Sequence, residues 1–260
     1  MPVLYPPPLL VLWLALLGAA LGSFLDCAAC RYAAGGGLPT GRSHCDHCGH
    51  ILGPVDLLPI AGFLLRRGRC RYCGAPIPRH CLAAEAAGAV IFAGLTLRFG
   101  LCPELAMWLL LGCLLLLLAL VDGLTHRLPD GLLLACAGVR LVFLFVLEQP
   151  LGPTLRDMAL GAFGVSVPLL LLSLGMDRLL GRESLGGGDI KLVFVLGLYL
   201  SWLELLLLLF AGCVLALGWA LARGRREGEI PLGPFLAGGW LLVVLWGDRL
   251  IGWYQGLFIL

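Results

Sequence analysis

Residues 114–122 read Leu114-Leu115-Leu116-Leu117-Leu118-Ala119-Leu120-Val121-Asp122. They close an apolar run over 103–121, near the roughly 20 residues that a helix needs to cross the hydrocarbon core of a bilayer. Similar runs occupy 8–25, 82–98, 129–147, 155–175, 189–202, 203–222 and 233–247, giving about eight candidate spans. The sixth is short and Gly238-Gly239 interrupts the last, so a count of seven stays open. The chain is 60% hydrophobic and 13% charged, with a mean hydropathy of +0.98. A soluble domain carries about 25% charged residues. The expected fold is an all-α, polytopic membrane helix bundle embedded in a lipid bilayer. No basic residue precedes the first apolar run, so it is read as a retained span and not a cleavable signal peptide.

Lys and Arg concentrate on cytoplasmic loops. Seven arginines (Arg31, Arg42, Arg66, Arg67, Arg69, Arg71 and Arg79) fall in 26–81. Alternate loops add Arg127, then Arg178, Arg182 and Lys191, then Arg223, Arg225 and Arg226. This asymmetry puts the N-terminus outside and 26–81 in the cytoplasm. The expected organisation is a first span over 1–25, a cytoplasmic insert over 26–81 and a bundle over 82–260. The net charge of +2 gives no basis for nucleic-acid binding.

Asp189 repeats the juxtaposition seen at Asp122. It follows Gly186-Gly187-Gly188 and opens Ile190-Lys191-Leu192-Val193-Phe194-Val195-Leu196. An ionisable group at the edge of lipid is costly unless solvated or paired, which makes it a functional-site candidate. Both aspartates fall on the cytoplasmic side, where a carboxylate pair could activate water. From the residues alone, Asp189 could equally be a helix N-cap and Asp122 a solvated loop residue.

The insert carries Cys45-Asp46-His47-Cys48 and Cys70-Arg71-Tyr72-Cys73, two Cys-x-x-Cys knuckles separated by 21 residues and each followed by glycine. Four thiolates at such spacing suit one tetrahedral zinc, and a closed site of this kind is structural and not catalytic. A reducing cytoplasm argues against disulfides. The insert is too small to build much of a core, so zinc would supply folding free energy. Cys27, Cys30, His44, His47, His50, His80 and Cys81 lie nearby as competing ligands; Cys27 and Cys30 read as small apolar residues near the membrane surface. Cys102, Cys113, Cys136 and Cys213 read as core packing.

These residues in this order resemble bacterial type IV prepilin peptidases. Gly22-Ser23-Phe24-Leu25 with Arg31 is similar to the family's opening motif. Residues 42–48, Gly68 through Ile77, and Glu85 resemble its zinc insert. Asp122 with Leu128-Pro129-Asp130 resembles the first catalytic motif, and Gly187-Gly188-Asp189-Ile190-Lys191-Leu192 the Gly-x-Gly-Asp signature. Residues 230–237 resemble the closing motif. Asp26 stands where the family usually has Asn, and His80-Cys81-Leu82 replaces a Tyr-Pro-containing stretch.

The resemblance implies a membrane-embedded aspartic endopeptidase of the bacterial inner membrane. It would cleave the basic leader of prepilins and pseudopilins after a glycine, as in type IV pilus and type II secretion systems. It would then methylate the new N-terminus using S-adenosylmethionine. Asp122 and Asp189 are the implied catalytic pair, with Asp130, Gly187, Gly188 and Lys191 supporting, and Cys45, Cys48, Cys70 and Cys73 as zinc ligands. Asp189, at a helix N-terminus, is expected to be the base, and Asp122, at a C-terminus, to carry the proton. The glycines before Asp189 would permit positive φ and close approach of an extended substrate. No Rossmann-type fingerprint locates the methyl donor. Three rivals stay in view: a peptidase without methyltransferase activity, a zinc-ribbon scaffold or transporter, and a presenilin-type protease with mid-span aspartates.

Overall fold

The computed structural model describes residues 6–35, 43–45, 47–53, 55–181, 185–224 and 231–258. Among them every regular element is a helix, and β pairing is limited to two isolated bridges. Arg42, Asp46, Arg182, Arg225, Arg226 and Ile230, used in the sequence reading, lie outside the described residues. The chain divides into two compact units, Met1–Thr125 and His126–Leu260.

The first unit contains α1 (Pro8–Ala33), the short α2 (Ala61–Leu65), α3 (Arg79–Phe99) and α4 (Pro103–Thr125). The α1/α3 packing follows from small residues at a spacing of four. A Cβ on Gly18 would strike the Gly88 carbonyl, and one on Gly22 would strike that of Ala84. Gly18 and Gly22 on α1 face Ala84 and Gly88 on α3, so the two backbones meet directly. This is how membrane helices associate without a hydrophobic driving force between them. α4 packs along both, burying Leu111, Leu115 and Leu118.

The second unit contains α5 (Asp130–Val146), α6 (Leu151–Leu180), α7 (Gly187–Gly197), α8 (Trp202–Ala222) and α9 (Gly233–Phe258). Gly161 on α6 and Gly197 on α7 touch backbone to backbone. α8 and α9 do the same where Gly239 approaches the Leu208 carbonyl and Gly212; a Cβ on Gly239 would lie 2.8 Å from that oxygen. Gly238-Gly239 therefore does not break the last segment. α9 runs through it, and the glycines serve packing.

Each of the eight expected segments contains a helix, and among the described residues six helices are long and apolar enough to cross a membrane. The molecule is a multi-pass membrane protein. α5, with 17 residues, falls just short of that length, and α7 has only 11. The segment expected over 189–202 ends early because a new helix starts inside its boundary. Ser201 caps α8, its Oγ accepting from the Glu204 N–H while Glu204 accepts from the Ser201 N–H at 2.8 Å. This reciprocal box satisfies two otherwise orphaned donors and fixes the start of α8.

Candidate active site and cysteine cluster

Asp122 lies in the last turn of α4, 5% exposed. Thr125 donates its hydroxyl back to the Val121 carbonyl at 2.9 Å, and α4 ends there. His126, at φ 53°, takes the chain into a left-handed turn. Asp122 is thus held near the negative end of a helix dipole, where a carboxylate is disfavoured.

Asp189, in the second unit, occupies the first turn of α7 and is half-buried. The Gly186 carbonyl accepts from its N–H at 3.0 Å. The helix's positive end favours an anion here. The preceding glycines do not use the left-handed region: Gly186 sits at φ −62° and ψ 132°, and Gly187 and Gly188 are already helical. The expectation of positive φ at these positions is therefore corrected. Gly186 and Gly188 are small because neighbours press on them. A Cβ at 186 would lie 3.0 Å from the Asp189 carboxylate, and one at 188 would lie 3.1 Å from the Leu128 side chain. Gly187 faces open space.

Asp130 is the first residue of α5, preceded by Pro129 as N-cap. Lys191 donates to its carboxylate at 2.7 Å, with both side chains largely exposed. Lys191 therefore ties α7 to α5 two residues beyond Asp189. The opposite end of α7 is tied by Arg140, buried on α5, whose Nε donates to the Leu198 carbonyl at 2.9 Å and whose Nη1 donates to Gln149. The Tyr199 hydroxyl adds a hydrogen bond to the Cys136 carbonyl at 2.6 Å. An eleven-residue helix with little surface of its own is thus clamped at both ends, and this fixes where Asp189 points.

The four expected zinc ligands converge. The Sγ atoms of Cys45, Cys48, Cys70 and Cys73 all lie within 4.8 Å of one another. Cys45 and Cys73 are 3.9 Å apart, close to the edge of about 3.8 Å that tetrahedral zinc–thiolate bonds of about 2.3 Å require. The knuckles are built alike. Gly49 and Gly74 (φ 68° and 73°) donate to the Cys45 and Cys70 carbonyls, while Cys45 and Cys70 donate to the His50 and Ala75 carbonyls. Leu52 donates to Ser43 as Ile77 does to Gly68. Each pattern repeats the other with matching residues 25 positions on. The backbone N–H groups of Cys73 and Tyr72 draw the Cys70 thiol down to about 7. The Ala75 N–H acts the same way on Cys73, but desolvation and the neighbouring thiols outweigh it and push Cys73 up to about 11. The residues present fit a four-coordinate metal.

Two features at the base of the insert are new. The Glu85 carboxylate accepts from the Ile60 N–H at 2.6 Å. Ile60 sits at φ 59° and ψ −51°, bridged by Ala61 N–H to Pro59 carbonyl at 2.5 Å. This is a γ-turn of the rare positive-φ kind, on a β-branched residue. Asp26, Cys30 and His80 also converge, their ligand atoms within 4.8 Å of one another. Cys30 thus has polar neighbours, contrary to its reading as a small apolar residue. Cys136 is buried as expected, but Cys213 is exposed, which corrects its assignment to the core.

The family described as Bacterial Peptidase A24 N-terminal domain matches residues 16–99, and the Type IV leader peptidase family matches residues 109–221. A prepilin leader peptidase/N-methyltransferase of Aeromonas hydrophila is 33% identical over 84% of this chain and 76% of its own length. One from Bacillus subtilis is 31% identical over 93% and 96%. One from Myxococcus xanthus is 36% identical over 85% and 66%. No solved structure matches. A chain that shares about a third of its residues with these proteins across most of its length belongs to the type IV leader peptidase family.

Proposed function

We propose that this protein is a membrane-embedded aspartic endopeptidase of the bacterial inner membrane. It removes the basic leader from type IV prepilins and pseudopilins at the cytoplasmic face and methylates the new N-terminus. The observation that carries this reading is the similarity, over most of the chain, to proteins named prepilin leader peptidase/N-methyltransferase. The two aspartates at helix ends supply the chemistry. Two like charges in one site do not readily ionise together, so the pair works with one proton between them. Asp189 takes a proton from water as its oxygen attacks the scissile carbonyl. Asp122 donates to the carbonyl oxygen; as the tetrahedral intermediate collapses, Asp189 passes the proton it took from water to the leaving amine, and Asp122 recovers its own proton from the intermediate's hydroxyl. Asp130, Gly187, Gly188 and Lys191 support by positioning the start of α7. The methyl group added to the freed amine comes from S-adenosylmethionine.

The topology this needs has eight crossings and an external N-terminus. Parity supports it. If α5 and α7 did not cross, α4 and α7 would present Asp122 and Asp189 to opposite sides of the membrane. With both crossing, the aspartates and the cysteine cluster all face the cytoplasm. In this arrangement 26–81 is the cytoplasmic insert, held by zinc on Cys45, Cys48, Cys70 and Cys73, and 82–260 is the peptidase bundle. The fit of four thiolates to a tetrahedral ion supports zinc. Incubating detergent-purified protein with a prepilin, with and without S-adenosylmethionine, tests the whole reading by product mass. The expected product is the leaderless pilin, heavier by one methyl group when the donor is present. An uncleaved prepilin would refute the peptidase, and a cleaved but unmethylated pilin in excess donor would leave a peptidase alone.

A further inference from the structure

The insert leaves the membrane helices after Ala33 at the end of α1 and rejoins them at Arg79, the start of α3. These two points form its neck. The small-residue stripe determines what stands there. Gly18 meets Gly88 and Gly22 meets Ala84. One helical turn further towards the insert, the same faces present Asp26 on α1 and His80 on α3, and the next turn of α1 presents Cys30, because residues four apart share a face. His80 Nδ1 lies 2.9 Å and 3.1 Å from the two Asp26 carboxylate oxygens. The Asp26 carboxylate is only 5% exposed. Cys30 completes a triad whose ligand atoms fall within 4.8 Å of one another. Cys81 adds a fourth donor and a second sulfur, 3.8 Å from His80 Nδ1.

We infer that this neck is a second metal site, separate from the four-cysteine cluster, and that it takes zinc or a similar borderline divalent transition metal. The donor set decides the class. One carboxylate, one imidazole and one thiolate form a mixed O, N, S set that suits zinc, whereas magnesium and calcium take oxygen ligands. The spacing is compatible. Tetrahedral zinc with bonds of about 2.0–2.3 Å places its ligand atoms about 3.3–3.8 Å apart. The Asp26–His80 contact need open by only a few tenths of an ångström, and Cys81 already stands at a ligand-to-ligand distance from Nδ1. Loading the site exchanges the hydrogen bond between His80 Nδ1 and Asp26 for bonds to the ion and displaces the Cys30 thiol proton. A buried carboxylate needs a cation or hydrogen bonds to offset its desolvation, and the ion supplies that charge. Three protein donors leave a fourth position for Cys81 or water. The consequence is mechanical. A metal here links α1 to α3 at the point where the insert departs, and so fixes its orientation on the membrane helices.

Metal counting on the full-length protein tests this. The detergent-solubilised enzyme is stripped by chelator, reloaded with zinc, freed of excess and analysed by elemental mass spectrometry. Two zinc ions per chain are expected. Cys30→Ser and His80→Gln should each leave one, Cys45→Ser with Cys48→Ser should also leave one, and the combination none. A parallel cobalt titration uses a variant with all four insert cysteines changed to serine. It should keep a thiolate-to-cobalt absorption band that Cys30→Ser abolishes, which distinguishes loss of a ligand from loss of fold. One zinc per chain in the wild type, or a second ion that survives both Cys30→Ser and His80→Gln, would overturn the inference.

Discussion

Asp122 and Asp189 are the same residue set at opposite ends of their helices. Asp122 closes α4, buried where the helix dipole opposes a negative charge; Asp189 opens α7, half-exposed where the dipole supports one. Their settings also differ in construction. Asp122 rides on a long helix whose own apolar length anchors it. Asp189 rides on eleven residues that depend on Asp130–Lys191 at one end and Arg140–Leu198 at the other. The difference teaches that one aspartate is placed by burial and the other by its neighbours' side chains. The two should therefore respond differently to mutations around them.

The largest effects test whether the two form one unit. Asp122→Asn and Asp189→Asn should each lower the rate of prepilin cleavage by at least about 10²–10⁴-fold, the range for a lost general acid or base. The double variant should be no slower than the worse single one, because residues acting as a unit are not additive. Multiplying effects in single-turnover kinetics would mean that the two act in separate steps.

Smaller effects should fall on Asp189 alone. Gly188→Val presses on Leu128 and displaces the first turn of α7, so cleavage should drop by up to about 10²-fold while folding is retained. Lys191→Met or Asp130→Asn breaks an exposed ion pair worth at most about 1 kcal/mol, a loss of about fivefold or less. If Asp130→Asn alone is inactive, Asp130 is the reacting carboxylate of the first motif.

The cysteine cluster should give the most graded response, because its four thiols lie in the insert and not beside Asp122 or Asp189 in sequence. Zinc requires thiolates, so affinity should rise with pH, by about tenfold per unit for each proton displaced. In the metal-free insert Cys70, near 7, is partly ionised at neutral pH, whereas Cys73, near 11, keeps its proton until metal removes it. Lowering the pH from 8 to 6 should therefore weaken zinc binding, as read by competition with a chromogenic chelator. Cys73→Ser should release the ion and lower the insert's melting temperature, with a smaller loss of cleavage than either aspartate variant.

Much of this was legible in the sequence. The apolar runs gave the helices, and the knuckle spacing gave the four-thiolate cluster, because both are set by local periodicity and turn chemistry. The break between 189–202 and 203–222 was read within a residue of where α8 starts, but the apolar run carried the first segment past the true end of α7 at Gly197, although Ser201 and Glu204, three residues apart, signal a helix start. The glycines before Asp189 were read for backbone freedom, when the Asp189 carboxylate crowds Gly186 and Leu128 crowds Gly188, and the second of these is a tertiary fact with no local signal. Of the neck cluster, Cys30, His80 and Cys81 were visible only as competing ligands for the four-cysteine site, and Asp26 only as a departure from the family pattern. The register of Gly18 and Gly22 on Ala84 and Gly88 brings them together, and that register becomes readable once α1 and α3 are known to be neighbours.

One measurement bears most directly on the central claim. Purified wild type, Asp122→Asn and Asp189→Asn are each mixed with a prepilin, and binding and leader release are followed together in one single-turnover experiment. All three should bind the prepilin with similar affinity, and only the wild type should release the leader. Release at the wild-type rate by either variant would contradict the account, because that aspartate would then have no part in the chemistry.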